Sequence, residues 1–113
     1  SLTLTVGQSI SREKFLKYLI DKGFRHCDTV YEPGDYAVRG SIIDIFPSGY
    51  DNPLRLDFFG DTLESLKSFD PLSQRTLNLC EKFDLKPIHE VTLTPQTIQT
   101  FRQNYRQLFG TDK

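Results

Sequence analysis

An α+β fold, a small antiparallel β-sheet with an N-terminal helix packed on it and a C-terminal helix, is what this sequence predicts, and three observations carry it. Leu54, Leu56 and Phe58 alternate with Arg55, Asp57 and Phe59, the period of a half-buried strand. Phe15, Leu16, Leu19 and Ile20 recur at helical spacing between Ser11 and Lys22. Thr94-Pro95 then opens a second helical stripe of Ile98, Phe101, Tyr105, Leu108 and Phe109. At 113 residues the chain suits one domain, with a core of Leu, Ile, Val and Phe and no need of metal or disulfide staples.

In chain order, Leu2-Thr3-Leu4-Thr5-Val6 is a strand ended by Gly7. Ser9 or Ser11 caps the first helix, whose charged residues Arg12, Glu13, Lys14, Lys17 and Asp21 fall mostly opposite the apolar stripe, and Gly23 stops it. Phe24 to Tyr31 continues as a strand with Phe24 and Cys27 out of period, and Glu32-Pro33-Gly34-Asp35 turns the chain. Asp35 to Pro47 and Leu54 to Asp61 are β-ribbons broken by Gly and Pro, consecutive and antiparallel, joined by an exposed loop from Pro47 to Pro53. In Thr62 to Phe69 the apolar residues Leu63, Leu66 and Phe69 stand three apart, which suits a helix as much as a strand. Asp70-Pro71-Leu72-Ser73 breaks the chain, and Thr76 to Leu85 resumes alternation as one or two strands before Pro87. Glu90 to Leu93 is extended, and the last helix runs from Pro95 to Phe109 with a loose tail after Gly110. The domain itself spans residues 1–93, with 94–113 as a helix leading on to a neighbouring domain.

Composition narrows the function. Fourteen basic and fifteen acidic side chains give a net charge of −1, with no dense Lys/Arg block to track a phosphate backbone, so direct DNA binding is not expected. Cys27 and Cys80 are far apart, and with only His26 and His89 to join them a zinc site is not expected. Sparing cysteine fits a reducing cytoplasm, and no apolar run reaches the roughly 20 residues of a membrane span. A start on Ser1 and the absence of methionine suggest a domain cut from a longer protein.

Catalytic chemistry finds little support. Cys80 with His89 as base lies in no nucleophile motif, and no phosphate-binding glycine loop is present. Asp44, Asp57 and Asp61 have the composition of a magnesium-holding carboxylate cluster, but Arg55 shares a strand face with Asp57, and Asp61 sits in a Gly-Asp turn, so a cross-strand ion pair explains them as well. The polar face of Leu54–Phe59 is more suggestive. A phenylalanine beside an arginine has the composition of a protein-binding hot spot, and Phe59 has two places open to it: an exposed anchor, or a fold over the sheet edge into a satellite cluster.

The runs Gly-Asp-Tyr-Ala-Val-Arg-Gly-Ser-Ile-Ile-Asp-Ile-Phe-Pro from Gly34, Pro-Leu-Arg-Leu-Asp-Phe-Phe-Gly-Asp from Pro53, and Ser-Phe-Asp-Pro-Leu-Ser-Gln-Arg-Thr ending at Thr76 resemble a bacterial repair family. The chain is similar to the second domain of the UvrB-homology module, as found in the transcription-repair coupling factor Mfd and, less closely, in UvrB. The likeness covers nearly all of the chain, both helices included. It implies a non-catalytic adaptor that binds UvrA and recruits nucleotide excision repair to RNA polymerase stalled at DNA damage. It implies that Arg39, Arg55 and Phe59 form the UvrA-binding face, which favours the exposed anchor for Phe59. The same likeness implies no cofactor in this domain, ATP and magnesium belonging to the motor domains of the parent, and a face that other parent domains mask; a monomer is expected. The UvrA-binding domain of UvrB, a direct nucleic-acid-binding module and a metal-dependent nuclease are the competing readings.

Overall fold

Residues 2–88 are described by the structure, a computed structural model. His89, the extended piece from Glu90 and the helix expected from Pro95 lie outside the described residues. Among the described residues, eight strands and one helix follow the order β1 (Leu2–Thr5), α1 (Arg12–Asp21), β2 (Arg25–His26), β3 (Asp35–Arg39), β4 (Ile42–Ile45), β5 (Leu54–Phe59), β6 (Thr62–Phe69), β7 (Thr76–Cys80) and β8 (Lys82–Leu85). Strands β2 to β7 form one six-stranded sheet in sequence order, and β1 pairs with β8 in a separate two-stranded sheet. All pairings are antiparallel except that of β2 with β3, which is parallel. The α+β class stands, with one mixed edge where an all-antiparallel sheet was expected. No helix among the described residues is long and apolar enough to cross a membrane.

Helix α1 is set at both ends by the residues its sequence supplies. The Ser11 hydroxyl accepts the Lys14 N–H at 3.3 Å, and the Asp61 carboxylate, reaching from the β5–β6 turn, accepts the Arg12 N–H at 3.1 Å. At the other end Gly23, at φ +96, lets its own N–H and that of Phe24 return to the carbonyls of Ile20 and Leu19, a Schellman closure. Phe15 and Leu19 are buried on the sheet, with the Phe15 and Phe58 rings 6.1 Å apart. Ile20, expected in the same stripe, is exposed. At about 100° per residue it stands roughly 120° round from the Phe15–Leu19 direction, beyond the seam a single helix makes with a sheet.

The core lies between α1 and one sheet face, where Ile43, Ile45, Leu54, Leu56 and Phe58 meet Leu4 and Leu85 of the small sheet. A smaller cluster of Val30, Ala37, Phe46 and Phe69, with Cys27 against it, covers one end of the opposite face. That cluster explains why the strand expected from Phe24 to Tyr31 is only two residues long. Val30 is carried over to the second face, and the Asp35 carboxylate takes the Tyr31 and Glu32 N–H groups at 3.2 Å each, closing a turn where a ladder would have continued.

Thr62–Phe69 is a strand, and a β-bulge removes the ambiguity of its spacing. Asp57 pairs with Ser65 and Phe58 with Leu63, so Glu64 is an extra residue on β6. The bulge resets the alternation, which brings Leu63 and Leu66 to the same core face although they are three apart. Phe69, three beyond Leu66, falls by alternation on the other face, in the smaller cluster, and the pairing with β7 shifts register between Ser68 and Phe69.

Asp35 supplies a pH-dependent tie. Burial pushes its carboxyl up from the ordinary 3.8, but the Arg25 guanidinium at 2.6 Å and the two backbone N–H groups outweigh burial and hold it below that value. The folded chain therefore binds this proton less tightly than the unfolded one. Stability from the turn is complete above about pH 4 and drains away as pH falls through the lowered value. Thermal melts of the wild type and Asp35→Asn between neutral and acid pH check this: the gap between them should narrow on acidification, and a constant gap would remove Asp35 as the cause.

Candidate functional site: the open face of the sheet

Strand pairing sets the second face in two rows. Ala37, Asp44, Arg55, Lys67 and Leu79 lie across β3 to β7, and Arg39, Ile42, Asp57 and Ser65 lie across β3 to β6 beside them. The Asp44 side chain, only 3% exposed, sits at the centre. Arg55 donates to it twice, Nε to Oδ1 at 2.8 Å and Nη2 to Oδ2 at 3.0 Å, the bidentate geometry a guanidinium makes with a carboxylate. Arg39 donates to Oδ2 at 3.2 Å from a side chain that is 57% exposed.

Arg55 is more deeply held than its strand position suggests. Its side chain is 18% exposed, its guanidinium lies 4.2 Å from the centre of the buried Phe69 ring, and Gln74 accepts from it through both the backbone carbonyl and Oε1. Phe59 is the opposite case. It ends β5 on this face and is 77% exposed, whereas Phe58 beside it is buried. Strand alternation therefore places Arg39, Arg55 and Phe59 on one face, the two arginines joined through Asp44 and Phe59 further along β5 towards the Gly60 turn.

Two features of this face were not read from the sequence. Leu79 is 78% exposed beside Lys67, and the signal was there in the alternation of Thr76–Cys80, but its face depends on the pairing with β6. Gln74 lies in the segment that breaks the chain after Phe69, and nothing in its residue type announces a contact with Arg55.

The three aspartates weighed as a metal cluster do not converge. Asp44 is bound to arginines, Asp57 accepts the Ser41 hydroxyl at 3.1 Å and Asp61 caps α1. Among the described residues no group of three His, Cys, Asp or Glu side chains is placed to hold a metal ion. Burial pushes the Cys27 thiol up, and its S–H points to the Tyr36 carbonyl at 3.4 Å, the reverse of an activated nucleophile. On the core side of the sheet, an open cleft of about 350 Å³ between Tyr50, Asp51 and Phe83 is lined by one carboxyl and by Cys80, and by no histidine among the described residues.

The chain is a strand-rich α+β domain presenting a charged sheet surface with an aromatic at its end. The chain belongs to the UvrB interaction domain family, whose model matches residues 2–91. It is 43% identical over 109 residues to the transcription-repair-coupling factor of Escherichia coli, an alignment covering 96% of this chain and 10% of that protein. It is 43% identical over 94 residues to the factor of the same name in Myxococcus xanthus, covering 83% of this chain and 8% of the relative. UvrABC system protein B of Thermosipho africanus is similar at 33% over 99 residues, covering 88% of this chain and 15% of that protein. The chain thus spans about a tenth of the length of the coupling factors it matches.

Proposed function

We propose that this chain is a non-catalytic adaptor that binds UvrA through the face of Arg39, Arg55 and Phe59, and that in a coupling factor it recruits nucleotide excision repair to RNA polymerase stalled at DNA damage. The observation that carries the proposal is Phe59: a large apolar ring, 77% exposed on an otherwise polar strand face, is the pattern of an anchor waiting for a pocket. Arg39 supplies an accessible guanidinium on the same face, and carboxylates on the partner are its natural counterparts. The role needs no cofactor or metal in this chain, which acts as a monomer in the bacterial cytoplasm.

Interleaved acids argue against nucleic acid as the ligand. Asp44 and Asp57 lie among Arg39, Arg55 and Lys67, so a phosphate backbone would meet both signs on the same surface. Titration calorimetry with purified UvrA tests the proposal. Arg39→Ala should cost roughly 1–3 kcal/mol of binding and leave the melting temperature near that of the wild type, because its side chain is largely in solvent. Wild-type affinity in this variant and in Arg55→Ala would remove the face from consideration. Micromolar, salt-sensitive binding of DNA in an anisotropy titration would favour the nucleic-acid function instead.

A further inference from the structure

Arg55 has five N–H donors, and four are already committed within the chain. Nε and Nη2 bind Asp44, a second Nη2 hydrogen bonds Gln74 Oε1 at 3.3 Å, and Nη1 donates to the Gln74 carbonyl at 3.4 Å. The flat face of the guanidinium rests on Phe69. One Nη1–H is left over on a side chain with little freedom to move.

Gln74 reaches this position through an unusual backbone. It is the one non-glycine residue at positive φ, +64, among the described residues, a conformation glutamine adopts only under constraint. The constraint is a closed turn from Asp70 to Arg75. Gln74 N–H donates to the Asp70 carbonyl at 2.7 Å, and the Asp70 N–H donates to the Arg75 carbonyl at 2.8 Å. The Asp70 carboxylate accepts the Ser73 N–H at 3.2 Å, and Gln74 Nε2 donates to the Pro71 carbonyl at 2.7 Å. Left-handed φ at this residue lets its backbone carbonyl and its side-chain carbonyl address the same guanidinium. A turn built only to connect β6 to β7 would place glycine there at no steric cost.

We propose that the Asp70–Arg75 turn is a positioning device for partner recognition: Gln74, together with Asp44, presets Arg55 so that its remaining Nη1–H is presented to an acceptor oxygen on the partner. This rests on the function proposed above and assigns Gln74 a part in it. An arginine free to sample its rotamers loses that freedom on binding, whereas Arg55 has lost it on folding. Gln74 is a positioning residue here, acting through Arg55.

The 113-residue chain itself is the test material. Gln74→Gly keeps the turn, since glycine accepts φ +64 readily, and removes the side-chain acceptor. UvrA affinity by calorimetry should fall about two- to tenfold while the melting temperature holds or rises. In the free chain labelled with ¹⁵N-arginine, the Arg55 Nε–H should show a lower heteronuclear NOE and faster exchange than in the wild type. Wild-type affinity of Gln74→Gly, alongside a clear loss in Arg55→Ala, would overturn the inference and leave the proposed function standing. Lost affinity with unchanged Arg55 dynamics would also overturn it, making Gln74 a direct contact. Wild-type affinity of Arg55→Ala would overturn this inference, and the assigned face too where Arg39→Ala also binds as the wild type does.

Discussion

Replacing Asp44 with alanine is expected to lower the unfolding free energy by about 3–5 kcal/mol, the cost of removing one partner from a buried ion pair. The pair itself need not be strongly stabilising, because taking both groups out of water offsets much of their attraction. The loss arises from what is left behind. Arg55, 18% exposed and lying on Phe69, would keep a charge whose remaining acceptors are the two oxygens of Gln74, both at 3.3 Å or more. Arg55→Ala is the milder change, since Asp44 retains Arg39 at 3.2 Å. A double variant, Asp44→Ala with Arg55→Ala, should be destabilised by less than the sum of the two, because neither charge is then stranded. Urea unfolding of the four proteins measures this directly. An Asp44→Ala protein within about 1 kcal/mol of the wild type would mean that water reaches Arg55 and that the centre of the face is not the constrained network described.

This network also marks the limit of what residue patterns convey. Alternation along Leu54–Phe59 is a local property, so the split into Leu54, Leu56 and Phe58 inside and Arg55, Asp57 and Phe59 outside was legible, as were the stop of α1 at Gly23 and a serine cap, which the structure places at Ser11 of the two open to it. Register is not local. That Asp44 faces Arg55 depends on the length of the loop from Phe46 to Pro53, and alternation alone could place several acids opposite that arginine. Thr62–Phe69 was ambiguous for the same reason. Its three-residue spacing is a strand period interrupted by Glu64, and a bulge is specified by the partner strand as much as by its own residues. Gln74 was the least readable, because positive φ is signalled in sequence by glycine or asparagine, and here turn hydrogen bonds to Asp70 and Pro71 and a tertiary contact with Arg55 hold a residue type that does not favour it. Arg39, Arg55 and Phe59 were singled out together by the resemblance, and the geometry gives them unlike states: one accessible cation, one largely covered, one bare ring.

Two adjacent phenylalanines should respond oppositely to the same substitution. Phe58 is 3% exposed and packs near Phe15, so Phe58→Ala opens a cavity between helix and sheet and should cost about 3–5 kcal/mol of stability. Phe59 is 77% exposed, and its truncation removes few packed neighbours. Phe59→Ala should therefore melt as the wild type does, within about 0.5 kcal/mol. Binding should show the reverse order. On the proposed function Phe59→Ala loses about 2–4 kcal/mol of UvrA affinity, the range of a central aromatic anchor, while any Phe58→Ala protein that remains folded still offers the ring. Chemical denaturation and calorimetry on the same two samples separate these effects. Comparable destabilisation by both substitutions would place the Phe59 ring against the domain, and an aromatic already satisfied within its own fold leaves no anchor for a partner to bury.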